Sequence, residues 1–141
     1  MTMSDFDSSK TCLTFPADDK KLRDLVDFLK ADMDRHNVLP NKQFNMISAA
    51  EEVFVNISNY AYDGKGQVEV TSFVQDATYY VRFADEGKKY NPLEHEDPDI
   101  TLKPKDRPIG GLGIFLAKKF SDKISYTYEN GQNILTIGVD L

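Results

Sequence analysis

The chain has a single cysteine, no excess of basic charge and no long apolar run, and each shortage removes a class of protein. With Cys12 alone no intrachain disulfide can form, which suits a reducing cytoplasm. Cys12 falls in a strand pattern, where a small buried hydrophobe is the expected role. Seventeen Lys and Arg against 23 Asp and Glu leave a net charge of -6. A general nucleic-acid binder needs a basic face to displace phosphate counterions, so direct nucleic-acid contact is not expected. No stretch approaches the run of about 18 apolar residues that crosses a membrane, and the polar start of the chain lacks a signal-peptide core. Repeats and low-complexity tracts are also missing. The expectation is a cytoplasmic protein with a loose N-terminus over residues 1–10 and one domain over 11–141, since 141 residues suffice for a real core.

What the chain does have is concentrated in Asn41–Asp63. At about 100° per residue, Asn41, Asn45, Ser48, Glu52, Asn56, Asn59 and Asp63 fall on one narrow stripe. Ile47, Ala50, Phe54, Ile57 and Ala61 occupy the other side, which makes an amphipathic helix with a buried back and a polar front. Before it, Thr11–Phe15 reads as a short strand closed by Pro16. Asp18 or Asp19 then caps a helix with Leu22, Leu25, Val26, Leu29 and Met33 at helical spacing. Pro40 separates the two helices.

After Asp63, Gly64 and Gly66 offer positive-φ residues for leaving the helix. Val68, Val70, Ser72 and Val74 alternate with Glu69, Thr71, Phe73 and Gln75, and Tyr79, Val81 and Phe83 with Tyr80, Arg82 and Ala84, so a hairpin is expected around Gln75-Asp76-Ala77. From Glu86 to Ile109 periodicity vanishes, and four of the six prolines fall there, the composition of a lid or binding loop over about 86–110. A helix over Leu112–Phe120 follows, with Leu112, Phe115, Leu116 and Phe120 as its buried positions. The last hairpin turns at Asn130-Gly131. Adjacent hairpins exclude a doubly wound parallel fold. They fit an α+β, two-layer α/β sandwich: a mixed, mostly antiparallel sheet with helices on one face.

Three constellations carry chemistry. Asn56 presents a neutral oxygen that suits Mg²⁺, a hard cation completing its shell with phosphate oxygens and water. Glu52, one turn earlier, can polarise an attacking hydroxyl, whereas Glu51 lies about 100° off the stripe. Asp85, at a strand end before Gly87, can accept from the amino group of adenine. Gly110, Gly111 and Gly113 open the helix at Leu112, where backbone N–H groups and the helix N-terminus favour phosphate. Lys103, Lys105 and Arg107 in the expected lid are candidates for the terminal phosphate. The cluster Glu94-His95-Glu96-Asp97 is discounted as a metal site, because consecutive residues rarely converge on one ion.

Together these runs resemble the Bergerat-fold (GHKL, histidine kinase-like) ATP-binding proteins, and within them the bacterial anti-sigma factor serine kinases. Those kinases carry Glu, three residues, Asn, three residues, His, a small residue and Tyr. Glu52, Asn56, Ala61 and Tyr62 match, while Tyr60 stands in place of the His. The run Asp85-x-Gly87-x-x-Tyr90-Asn91-Pro92-Leu93 is similar to the second family box, with Lys89 where many relatives have another Gly. Gly111 to Leu116 resembles the last glycine box. The resemblance implies an ATP- and Mg²⁺-dependent serine/threonine protein kinase. It further implies a homodimer that holds a sigma factor inactive and phosphorylates a small anti-sigma antagonist protein. A module of the same fold used only for protein contacts, with or without ATP, is the alternative.

Overall fold

The computed structural model describes residues 10–94 and 112–141. Residues 1–9 of the expected loose N-terminus, and the expected lid from residue 95 onward, with Lys103, Lys105, Arg107 and Gly110, lie outside the described residues, as does Gly111; the start of that expected lid, 86–94, is described and ends in a 3-10 turn at Pro92–Glu94.

Among the described residues, five strands, β1 (Thr11–Pro16), β2 (Gln67–Gln75), β3 (Thr78–Asp85), β4 (Lys123–Glu129) and β5 (Gln132–Asp140), form one sheet of order β1-β2-β3-β5-β4. These strands pair antiparallel. The α-helices of the described residues, α1 (Leu22–Arg35), α2 (Pro40–Tyr60) and α3 (Leu112–Phe120), pack on one face of it. The result is the two-layer α+β sandwich that the order of elements implied.

Local chemistry sets the boundaries. The Asp18 carboxylate accepts from Lys20 N at 2.9 Å and starts a short 3-10 turn that leads into α1. Asn37, at φ 58°, turns the chain out of that helix. Pro40 occupies the first turn of α2, where its missing N–H costs nothing. Leu25, Leu29 and Met33 of α1 and Met46, Ala50, Val53 and Phe54 of α2 are almost wholly buried. Their sheet partners are Val68, Val70, Val81, Phe83, Ile137 and Val139. Each large side chain among them contributes roughly 1.5–3 kcal/mol by leaving water.

Four local expectations change. Cys12 is exposed rather than buried, because strand alternation sends Phe15 inward and leaves Cys12 on the outer side of an edge strand. Helix α2 ends at Tyr60, short of Asp63. Gly64 and Gly66 do not have positive φ. Gly66 instead lies against the Tyr62 ring, where a Cβ would collide. In α3 the buried residues are Ile114 and Ala117, with Phe115, Leu116 and Phe120 only partly covered. Small residues let α3 approach α2 closely, and the aromatic rings are displaced to its flanks. Phe120 there meets Phe44 edge-on at 5.9 Å.

The β2–β3 hairpin turns on two residues, Asp76 at φ 50° and Ala77 at φ 58°. Both lie in the left-handed region, which costs a residue with a Cβ about 1–2 kcal/mol. The β4–β5 hairpin meets the same demand with Asn130-Gly131. Ala77→Gly is therefore expected to stabilise the protein by about 0.5–1 kcal/mol after the added unfolded-state entropy is counted. Urea unfolding would read this as a higher midpoint at unchanged slope; a lower midpoint would contradict it.

Candidate nucleotide-binding site

The site lies where the end of α2 meets the ends of β3 and β5. Tyr62, just past α2, ties that end to β2 and to the residue after β3: its hydroxyl donates to Gln67 O at 2.6 Å and accepts from Glu86 N at 2.8 Å. Ala61 O accepts from Lys88 N at 3.1 Å. Gly87 passes so close beneath Ala61 that a Cβ would collide with the Ala61 carbonyl. The glycine after Asp85 is thus needed for close approach of two backbones. This pinning brings the front of α2 over the end of β3.

A cleft of about 420 Å³, counting space open to solvent, results. Val53, Ile57, Ala61 and Leu135 form apolar walls, Tyr60, Tyr90 and Tyr126 surround them, and Asn56, Asp85, Asn133 and Lys88 supply the polar groups. Asp85 is 5% exposed, so its carboxylate sits at the closed end of an apolar slot. Burial pushes its pKa up, partly offset by hydrogen bonds from the Asn133 amide and from Gly87 N. The lining has the chemistry that a flat aromatic base with one exocyclic amino donor would complement: aliphatic walls for the rings and a carboxylate for the amino group. Asn56 stands farther along the same wall with an oxygen available, having no side-chain hydrogen bond among the described residues.

Glu52 does not line this cleft. It lies one turn back along α2, against the first turn of α3, where a Cβ on Gly113 would come within 2.9 Å of Glu52 Oε2. Burial pushes the Glu52 pKa up, and the neighbouring charge of Glu51 adds to the shift. A carboxylate with a raised pKa is better suited to taking a proton than an ordinary surface one. The fold therefore gathers Asn56 and Asp85 at the cleft, Glu52 and Gly113 at the α2–α3 junction, and Gly87 behind Asp85. Leu112 begins α3. Gly110, Gly111, Lys105 and Arg107 fall outside the described residues.

Of the cleft's polar groups Asn56, Asp85, Asn133 and Lys88, two were not singled out from the sequence. Lys88 follows Gly87 and gives no pattern of its own. Asn133 could have been noticed, because it is the polar member of an inward row that continues Leu135, Ile137 and Val139.

This arrangement, a helix carrying Glu and Asn over an antiparallel sheet with a buried Asp at a strand end, defines an ATPase domain of the histidine kinase-like type. The chain matches the histidine kinase-like ATPase domain family over residues 15–139, and it belongs to that family. No curated protein matches its sequence significantly. Among solved structures it is similar to the RsbU and RsbW domains of Rv1364c from Mycobacterium tuberculosis. That match has a TM-score of 0.67 at 13% identity over 94% of this chain. It spans 32% of the other chain, so the likeness speaks to the fold of about a third of that protein. Among the described residues, no helix is long and apolar enough to cross a membrane.

Proposed function

We propose that this protein is an ATP-binding anti-sigma regulatory factor with serine/threonine protein kinase activity. In this reading it phosphorylates a small antagonist protein and acts as a homodimer on a sigma factor, within a single domain spanning 11–141. The observation that carries the reading is that Asn56 and the buried Asp85 share one apolar cleft while Glu52 stands one turn away beside Gly113.

Each residue has a part. Asp85 accepts from the adenine amino group and selects adenine. Asn56 holds Mg²⁺, which when bound offsets the charge of the phosphates. Gly113, with Gly110, Gly111 and the backbone at Leu112, admits phosphate to the start of α3, and Lys105 or Arg107 neutralises its far end. Glu52 takes the proton from the substrate hydroxyl as that oxygen bonds to the γ-phosphorus of ATP and the bond to the β,γ-bridging oxygen breaks, releasing ADP. The work asked of the protein is placement and electrostatics rather than covalent chemistry. Membership of the ATPase family and the likeness to an RsbW-containing structure support the reading.

Calorimetric titration of ATP with and without Mg²⁺, beside Glu52→Ala, tests it. Wild type is expected to bind ATP, and Glu52→Ala to bind equally well while failing to transfer phosphate to a Ser- or Thr-bearing antagonist protein. Unimpaired transfer by the variant would remove Glu52 as the base. Binding without any transfer in the wild type would favour a module used only for protein contacts.

A further inference from the structure

The side chain of Asn133 is 7% exposed and has its hydrogen-bonding capacity fully used. Its Nδ2 donates to Asp85 Oδ1 at 3.0 Å, Gly87 O at 3.3 Å and Lys88 O at 3.0 Å. Its Oδ1 accepts from Tyr90 N at 3.0 Å and from the Tyr126 hydroxyl at 2.6 Å. The orientation of the amide follows from the partners: the first three can only accept, and a backbone N–H can only donate. Asp85 and Asn133 face each other across β3 and β5, so the sheet register itself sets the contact.

The consequence falls on Asp85. Both of its hydrogen bonds, from Asn133 and from Gly87 N at 2.9 Å, go to Oδ1. Among the described residues none goes to Oδ2. One oxygen is anchored and the other is left to meet a ligand in the cleft that Asp85 lines. Asn133 also fixes the backbone from Gly87 to Tyr90, the segment that carries Lys88 and Tyr90 on the same cleft.

We infer that Asn133 is the positioning residue that makes Asp85 selective for a purine with a 6-amino group over one with a 6-oxo group. The inference rests on the nucleotide-binding reading of the cleft. A 6-amino group donates to the fixed Oδ2. A 6-oxo group presents an acceptor to it and is disfavoured, because the carboxylate cannot turn away and the hydrogen bonds from Asn133 and Gly87 N oppose the protonation that burial favours. Without the Asn133 donor, the carboxylate is free to rotate and protonates at higher pH; a protonated acid donates to a 6-oxo group as well as it accepts from a 6-amino group. Other titratable groups facing Asp85 are Tyr62 at the end of α2, Glu86 and Lys88 beyond β3, and Tyr126 on β4. None of them replaces the amide donor.

The test compares ATP and inosine triphosphate, which differ at the 6-position and in the N1 hydrogen that only the 6-oxo purine carries, on wild type and Asn133→Asp at mildly alkaline and at mildly acidic pH. Asp is near-isosteric and keeps an acceptor for Tyr90 N and Tyr126. It loses the donor and sets a second carboxylate against the first. ATP affinity is expected to fall by about tenfold or more, while that for inosine triphosphate falls less. The ratio of the two should then shrink further as pH drops, relative to wild type at the same pH. Should Asn133→Asp fail to fold, Asn133→Ser, neutral and too short to reach both Asp85 and Tyr90 N, is expected to narrow the ratio likewise. A folded variant with the wild-type ratio at every pH would overturn the role of Asn133 and leave the cleft reading intact. A wild type that binds neither triphosphate would overturn the cleft reading and this inference with it.

Discussion

Asn56→Ala is expected to bind ATP no better with Mg²⁺ than without it, while unfolding at the same denaturant concentration as wild type. The side chain lines the cleft and makes no side-chain hydrogen bond among the described residues, so truncation leaves no buried partner behind. Its cost in stability should stay within about 0.5 kcal/mol, as for other substitutions that orphan nothing. The loss appears only where the amide oxygen is a ligand. With Mg²⁺ saturating, the affinity for ATP should fall by about two orders of magnitude, the usual scale for a charged or metal-assisted phosphate contact. Calorimetry with and without the cation reads this directly, and retention of the Mg²⁺ effect would remove Asn56 from the metal.

Asp32→Ala is expected to cause the largest loss of stability of any single change described for this protein. Asp32, on the inward side of α1, is 3% exposed. It accepts from Ser72 Oγ at 2.6 Å, the Tyr79 hydroxyl at 2.5 Å and Thr11 Oγ1 at 3.1 Å, and it pairs with Arg35. One carboxylate thus ties α1 to β1, β2 and β3. Removing it takes the acceptor from three hydroxyls, at a cost of about 3–5 kcal/mol, while the exposed Arg35 keeps its hydrogen bond to Thr11 Oγ1 at 2.6 Å. A fall in Tm on the order of 10 °C follows for a chain of this size. A Tm within about 2 °C of wild type would mean that water satisfies the stranded groups.

The acid side supplies a second readout. Burial pushes the Asp32 pKa up, but the hydrogen bonds from Ser72, Tyr79 and Thr11 outweigh it, and the folded value lies below the ordinary 3.8. A depressed carboxylate contributes stability that is complete above the unfolded pKa and is lost as pH falls through the folded one. Wild type should therefore lose part of its advantage over Asp32→Ala only below pH 3.8. A difference that already narrowed well above pH 3.8 would contradict a depressed Asp32 pKa.

Much of this arrangement was written in residue order. Alternation at Val68–Val74 and Tyr79–Phe83, the Asn130-Gly131 turn, and the helical spacing from Leu22 to Met33 each depend on a few neighbours along the chain. Backbone periodicity therefore sufficed to give strand, turn and helix. Glu52 and Asn56, four residues apart, were bound to share a helix face. The same local logic misjudged α3, because periodicity gives a helix an apolar side but not the depth at which it docks. Ala117 and Ile114 go in because α3 closes on α2, and that distance is set by Gly113 against Glu52.

The chain alone determined the elements, the family resemblance and the residue types of the cleft proposed to take a nucleotide. The tertiary structure alone decided which of those residues meet. Asp85 finds Asn133 because β5 pairs beside β3, 48 residues away in sequence. Asp32 is tolerated in the core because Ser72 and Tyr79, 40 and 47 residues away, supply its hydrogen bonds. Each of these polar residues would read as surface if taken alone, since burying an unpaired polar group is unfavourable. Only the folded chain provides the partners, and no regular spacing in sequence announces them.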